Sequence, residues 1–190
     1  MKKFLTLLSV FLFSIATFAQ LTLKNDPAHS RIQFSVIHLG INDITGNLEN
    51  ASLTINADEK SFVNSKLAFT ADLNTINTHI EARDNHLKSA DFFNVAKYPT
   101  LSFVSTSLKK TRNNYYMLKG NLTMHGVTKP VTLTLVYRGS TVNAMNKKTI
   151  YGYQVLGTLK RSDFKVGPNF PEAMISDLVR IKGDFELTAE

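Results

Sequence analysis

The sequence predicts an all-β fold, an eight-stranded antiparallel up-and-down barrel of long strands with one short helix near residues 78–90. Apolar and polar residues alternate in one segment after another, which is the pattern of half-buried strands. Polar, turn-forming stretches separate these segments. Because only one stretch favours a helix, no helical layer can cover the sheet, which must therefore close on itself or form a flattened sandwich.

The first strands are interrupted. A short strand at residues 21–24 precedes a turn at 25–30, and alternation resumes from residue 31 to 37. The next segment changes phase, with Ile44, Gly46 and Leu48 in one set and Ala51, Leu53 and Ile55 in the other. This slip predicts a β-bulge or bend near Glu49 and Asn50, where a long strand curls around the closing sheet.

The predicted helix follows a strand at residues 67–73. Its stretch contains Glu81, Ala82 and Arg83, and Asn77 or Thr78 is available as the N-cap. Five further strands are predicted at residues 101–107, 118–124, 131–137, 151–159 and 179–187. They are joined by a polar loop at 109–114, a tight connection at 125–130 in which Gly126 can adopt a positive φ, and a second polar loop at 143–148.

The interior of an eight-stranded barrel is just wide enough to hold one ligand. Glycines at positions 46, 120, 157 and 183 are predicted to leave space on the inner face. The predicted lumen residues are Phe34, Leu67, Phe69, Phe92, Phe103, Leu122, Leu133, Tyr153 and Phe185. Two outcomes stay open, an apolar cavity or a barrel that these side chains fill completely.

The N-terminus has the pattern of a secretory signal. Lys2 and Lys3 precede an apolar run at residues 4–18, which ends in small residues before Gln20. We therefore predict a signal peptide at residues 1–19, a mature domain at 20–190, a periplasmic or secreted location and no stable membrane insertion. Removal of this peptide deletes Lys2 and Lys3 and no acidic residue, so the formal net charge falls from +7 for the whole chain to +5 for the mature chain. The sequence has no cysteine, which excludes a disulfide framework.

The sequence shows no pattern that requires catalysis, a metal or a cofactor. The histidines at positions 29, 38, 79, 86 and 125 lack the spacing of a zinc site, and no phosphate-binding loop or nucleophile motif is present. No aromatic platform interleaves with a basic stripe, so nucleic acid is not an expected partner. Two alternatives to ligand binding stay open: a lumen enzyme with His86 and Asp84 as acid and base, and a filled structural or interaction barrel.

Several motifs together resemble the YceI-like family of exported lipid-binding proteins. They are DPAHS at residues 26–30, FSVIHLG at 34–40, Gly46, RDNHLKSADFF at 83–93, Tyr98-Pro99, GNLTMHGVTKPV at 120–131 and RSDF at 161–164. The resemblance covers essentially the whole predicted mature chain. One departure is Lys165, where the family commonly has glycine, and it affects the expected turn geometry at that position.

The resemblance implies a lipocalin-like, extended barrel that carries a polyisoprenoid or similar long-chain lipid, often as a homodimer. In such a protein the apolar tail supplies affinity and polar groups near the mouth select the head group. The candidates for head-group binding are Arg83, Asp84 and His86 around the helix, with His38 and Arg161 as weaker ones. Arg83 offers several donors to a phosphate or quinone oxygen. Alternatively, it pairs with Asp84, Asp91 or Asp163 and pins the helix over the barrel.

Overall fold

The computed structural model describes residues 20–58 and 61–190, so the predicted signal peptide at 1–19 lies outside the described residues. One α-helix and ten strands form in this part of the chain: β1 (Gln20–Asn25), β2 (Arg31–His38), β3 (Asn42–Leu48), β4 (Ser52–Asp58), β5 (Lys66–Asp72), α1 (Glu81–Lys88), β6 (Thr100–Arg112), β7 (Tyr115–Met124), β8 (Val127–Val142), β9 (Thr149–Lys160) and β10 (Leu178–Ala189). Short 3-10 turns occur at Pro27–His29, Phe62–Asn64, Leu73–Thr75 and Ser162–Phe164.

Eight of these strands close into an antiparallel barrel. From β4 to β10 each strand pairs with the next one in the chain, and β1 closes the ring by pairing with both β4 and β10. The β2–β3 hairpin extends the wall, because β2 pairs with the N-terminal half of β10. β1 and β2 are thus two parts of one kinked strand, as are β3 and β4. The predicted up-and-down barrel is confirmed.

The predicted bend at Glu49 and Asn50 is also confirmed. β3 ends at Leu48, β4 begins at Ser52, and Asn50 between them has a φ of 54°. Asparagine tolerates this left-handed region better than most residues. Leu48 and Leu53 are both buried on either side of the bend, so the phase change keeps the apolar face of both strands towards the core.

The prediction that the inner-face glycines leave empty space is wrong, because neighbouring side chains fill the space beside them. A Cβ atom on Gly120 would lie 2.3 Å from Cζ of Phe103, and one on Gly46 would lie 2.4 Å from Cζ of Phe34. Gly157 and Gly183 are covered in the same way by Leu133 and Phe185. The missing side chains therefore let large apolar groups pack directly against the backbone of the barrel wall.

One end of the barrel is filled by aromatic side chains. Phe62, in the turn after β4, stacks on Tyr153 with ring centroids 5.7 Å apart and meets the edge of Tyr116 at 5.1 Å. Tyr137 lies 5.3 Å from Tyr153 on the other side. Burial raises the pKa of the Tyr153 hydroxyl well above its usual range. This aromatic layer closes the floor of the barrel.

The helix is shorter than predicted and is capped differently. α1 begins after Ile80, whose side chain makes no capping hydrogen bond, so the expected N-cap role of Asn77 or Thr78 is wrong. Instead, Asp84 within the helix accepts hydrogen bonds from the backbone N–H and the hydroxyl of Thr78. No helix in residues 20–58 or 61–190 is long and apolar enough to cross a bilayer.

Two hairpin turns are tighter than predicted. β6 continues to Arg112, which leaves only Asn113 and Asn114 in the first turn. β8 begins at Val127, so His125 and Gly126 alone form the second turn. Gly126 has a φ of 73°, as expected for glycine at this position.

Candidate functional site

An apolar cavity of about 530 Å3 occupies the barrel above the aromatic floor. The strands form its wall, while α1 and the segment that follows β9 border the opposite end. Eight of the nine predicted lumen residues line the cavity: Phe34, Leu67, Phe69, Phe92, Phe103, Leu122, Leu133 and Phe185. The barrel is therefore not completely filled, which contradicts the filled-barrel alternative. Whether these residues contact a ligand stays a prediction.

Tyr153 is the predicted lumen residue that does not line the cavity. It is buried in the aromatic floor, stacked on Phe62, where the barrel is filled. Tyr153 and Val155 are two residues apart on β9 and therefore point to the same side of the sheet. Val155 does line the cavity, so the inner face of β9 was predicted correctly. The sequence pattern contains no information about how far along the barrel the packed end extends.

The polar residues of the cavity lining are few and all can donate hydrogen bonds. They are His38, Thr78, Arg83, His86 and Arg161, and the described lining includes no aspartate or glutamate. Four of the five predicted head-group residues are thus at the cavity. Asp84 is not among them; its carboxylate accepts hydrogen bonds from Thr78, which does line the cavity.

Arg83, Thr78 and Asp84 form a connected hydrogen-bonded group at the start of α1. The Nε and Nη2 groups of Arg83 donate to the hydroxyl and carbonyl oxygens of Thr78, each at 2.8 Å. The Thr78 hydroxyl donates in turn to Asp84 Oδ1 at 2.5 Å. Arg83 makes no ion pair with Asp84, Asp91 or Asp163, in contrast to the predicted alternative. Buried Thr78 therefore orients Arg83 and separates it from Asp84.

Arg161 is buried and satisfies all its donors within the protein. Its five N–H groups reach backbone carbonyl oxygens at 2.5–3.3 Å, those of Val166, Gly167, Phe170, Ile175 and Ser176. A guanidinium has five N–H donors, so none is left over for a ligand. Arg161 thus organises the segment that borders the cavity, and a direct head-group contact would have to break one of these bonds.

An aromatic cluster joins α1 to the segment after β9. Phe92 and Phe170 stack with ring centroids 4.6 Å apart, and the His86 ring meets both of them edge-on. Nε2 of His86 lies 3.3 Å from Asp91 Oδ2 on the exposed side. Because all three rings line the cavity, this cluster forms part of its boundary.

His38 lies at the end of β2, beside the segment that follows β9. It is exposed and pairs through its backbone with Ile175. Beyond it, the β2–β3 turn exposes Leu39 and Ile41, and the Leu39 N–H donates to the carbonyl of Met174. The rim near His38 is therefore largely apolar.

The site does not assemble the acid and base of the enzyme alternative. Asp84 is bound to Thr78, whereas His86 faces Asp91. No group of three or more His, Cys, Asp or Glu side chains that could hold a metal ion occurs among the described residues. The arrangement can enclose a long apolar chain and donate hydrogen bonds to its polar end.

Comparison with known proteins identifies the family. The family model of the YceI-like domain matches residues 23–187. The protein YceI of Salmonella arizonae is 36% identical over 157 residues, which cover 83% of this chain and 81% of that protein. The chain belongs to the YceI-like family. The resemblance inferred from the motifs is confirmed.

Solved structures show the same YceI-like architecture. A Campylobacter jejuni YCEI protein has a TM-score of 0.73 at 31% identity, covering 81% of this chain and 90% of that one. A polyisoprenoid binding domain from Saccharophagus degradans, implicated in plant cell wall breakdown, has a TM-score of 0.67 over 90% of this chain and all of that one. At 16% identity, this second likeness concerns the fold alone.

The YceI-like motif around His125 has a structural role next to the cavity. His125 Nδ1 lies 3.1 Å from the Phe164 carbonyl oxygen, and Lys129 pairs with Asp163 at 2.6 Å. These contacts join the β7–β8 turn to the RSDF motif after β9. Lys165, where the resemblance led us to expect a glycine, has a φ of 56°, in the left-handed region.

Sequence reasoning missed two parts of the site. Thr78 was considered only as a helix cap, although its burial and its bonds to Arg83 make it a positioning residue. The cavity residues Val166, Phe170 and Ile175 lie in an irregular segment without periodicity. The Phe170 and Ile175 side chains are apolar, but the contacts that hold their segment at the cavity, such as the hydrogen bonds from Arg161, are not visible in the sequence.

Proposed function

We propose that this protein is an exported carrier that holds a polyisoprenoid or similar long-chain amphiphilic lipid in the barrel and catalyses no reaction. The observation that carries the proposal is the apolar cavity of about 530 Å3 with a few donor groups at its polar positions. Ligand pockets of proteins typically have this size and this combination of lining residues. The structural similarity to the polyisoprenoid binding domain from Saccharophagus degradans supports the ligand class.

The apolar chain accounts for most of the expected affinity. Burying roughly 15 methylene groups at about 0.8 kcal/mol each gives about 12 kcal/mol. Loss of overall motion and ordering of the chain cost at least about 4 kcal/mol. The remaining free energy is therefore at most about 8 kcal/mol, which corresponds to a micromolar dissociation constant at the tightest.

A cavity-blocking variant tests this function. Val155 lines the cavity, so Val155→Trp places an indole in the space of the lipid chain. We expect the affinity for farnesol, measured by isothermal titration calorimetry, to fall at least tenfold. Val104 is 58% exposed outside the cavity, and Val104→Trp is the matched control. Equal binding by the wild type and both variants, or no saturable binding by the wild type, would contradict the proposal.

Export and dimer formation are parts of the same proposal. The basic start and apolar run of residues 1–19 support a cleaved signal and a periplasmic or secreted location. Mass spectrometry of the protein from the exported fraction should give a mature chain that begins at Gln20. Light scattering of that material tests the homodimer, and the mass of a single chain at micromolar concentration would reject it.

A further inference from the structure

The polar groups of the cavity differ in how many donors they have left for a ligand. Arg83 uses Nε and one N–H of Nη2 on Thr78. A guanidinium has five N–H groups, so three of them, two on Nη1 and one on Nη2, have no acceptor among the described residues. Arg83 lines the cavity, whereas the donors of Arg161 are all occupied.

The lining also contains no carboxylate that pairs directly with its cations. Two guanidinium groups lie in the lining, and none of its described residues is an aspartate or glutamate. The acid that Arg83 meets through this network, Asp84, is reached only by way of the Thr78 hydroxyl, which donates to Asp84 and accepts from Arg83. Arg83 is only half-buried, but the lining around it is mostly apolar, so water screens its charge less than in bulk solvent and an anion is favoured over a neutral group.

From this arrangement we infer that the cavity selects a lipid with an anionic oxygen head, a carboxylate or a phosphate, which Arg83 binds through its free N–H groups. This inference rests on the proposed lipid-binding function. Hydrogen bonds between a guanidinium and an anionic oxygen are about twice as strong as those between neutral groups. An acid should therefore bind more tightly than the alcohol with the same chain.

The cavity volume sets the length of the test ligands. At about 30 Å3 for a water-sized group, a volume of 530 Å3 holds on the order of 18 non-hydrogen atoms. Oleate and oleyl alcohol have chains of this size and differ at the head. Farnesyl phosphate and farnesol form a second pair, which distinguishes phosphate from carboxylate and an isoprenoid from a straight chain.

The experiment compares the four ligands by titration calorimetry at pH 8 on the wild type, Arg83→Gln and Arg83→Lys. Arg112 is exposed at the β6–β7 turn, outside the cavity lining, so Arg112→Gln removes the same charge as a control. We expect the wild type and the control to bind at least one acid tenfold or more tightly than its alcohol. Arg83→Gln should reduce the preference below threefold, mainly by weakening the binding of the acid, and Arg83→Lys should restore part of the preference.

Equal affinity of the wild type for acid and alcohol in both pairs would overturn the inference and leave the carrier function standing. A preference that survives in Arg83→Gln would overturn the assignment to Arg83. If no ligand of the four binds to the wild type, both the inference and the proposed function fail. The wild-type comparison needs no variant, so poor folding of Arg83→Gln would not prevent the decision.

Discussion

Replacement of Arg161 by lysine should destabilise the fold, although the positive charge is kept. Arg161 is 8% exposed and donates five hydrogen bonds to backbone carbonyls of residues 166–176. Those bonds tie an irregular segment to the mouth of the cavity. Lysine has a compact ammonium group with three donors and cannot reproduce the planar fork of the guanidinium.

The expected loss follows from the number of bonds. Arg161→Lys removes at least two of the five, and hydrogen bonds to charged groups contribute about 1.5–3 kcal/mol each. The free energy of unfolding should therefore fall by at least about 3 kcal/mol, a large part of the roughly 5–15 kcal/mol that is typical of a domain. For a chain of this length the corresponding decrease in Tm is about 6–12 °C.

Urea unfolding, followed by far-ultraviolet circular dichroism, measures the decrease in the free energy of unfolding. Circular dichroism is the probe because the sequence has no tryptophan for fluorescence. Arg112→Lys is the control, because Arg112 is exposed and stacks only over Tyr115. It should change the free energy of unfolding by less than about 0.5 kcal/mol. A loss below about 1 kcal/mol for Arg161→Lys at an unchanged m-value would refute the structural role of Arg161.

Three further predictions concern stability. Lys165→Gly should raise the free energy of unfolding by up to about 1 kcal/mol, since glycine adopts the φ of 56° without strain, whereas Lys165→Ala should leave it nearly unchanged; thermal unfolding measures both. Gly120→Ala should lower it by about 1–3 kcal/mol in urea, because the new Cβ would lie 2.3 Å from Phe103 and 2.5 Å from the Val104 carbonyl oxygen. Desolvation tends to raise the pKa of Asp177, but hydrogen bonds from the backbone and side chain of residue 162 hold it below its usual range. The ionised Asp177 carboxylate therefore stabilises the fold above the pKa that it has in the unfolded chain, and this contribution is lost as the pH falls through its lower pKa in the folded protein. Asp177→Asn should thus reduce the loss of unfolding free energy measured between pH 6 and pH 2.

Alternation of apolar residues was sufficient to predict strands that bury one face, which left a barrel or a flattened sandwich, and the family resemblance favoured the barrel. Even the bend at Asn50 was visible as a change of phase between Leu48 and Leu53. The ends of the strands could not be predicted where a strand extends beyond the core. Residues 109–112 continue β6 as exposed polar residues, so no apolar pattern marks them as strand.

The walls of the site were predictable and the roles of its polar groups were not. Phe34 and Phe103 face the cavity because they share the buried face of their strands. In contrast, the sequence names both Arg83 and Arg161 as head-group candidates, and only their hydrogen-bond partners distinguish a saturated guanidinium from one with free donors. Those partners come from Thr78 and from an irregular segment, for which the sequence has no periodic signal.

Mass spectrometry of the organic extract tests the central claim, that the cavity carries a long-chain lipid, most directly. The full-length chain is expressed and the protein is purified without detergent from the exported compartment. We predict one isoprenoid or other long-chain lipid per chain, lost in Val155→Trp and retained in Val104→Trp. An extract without lipid, repeated after incubation of the wild type with candidate lipids, would contradict the claim.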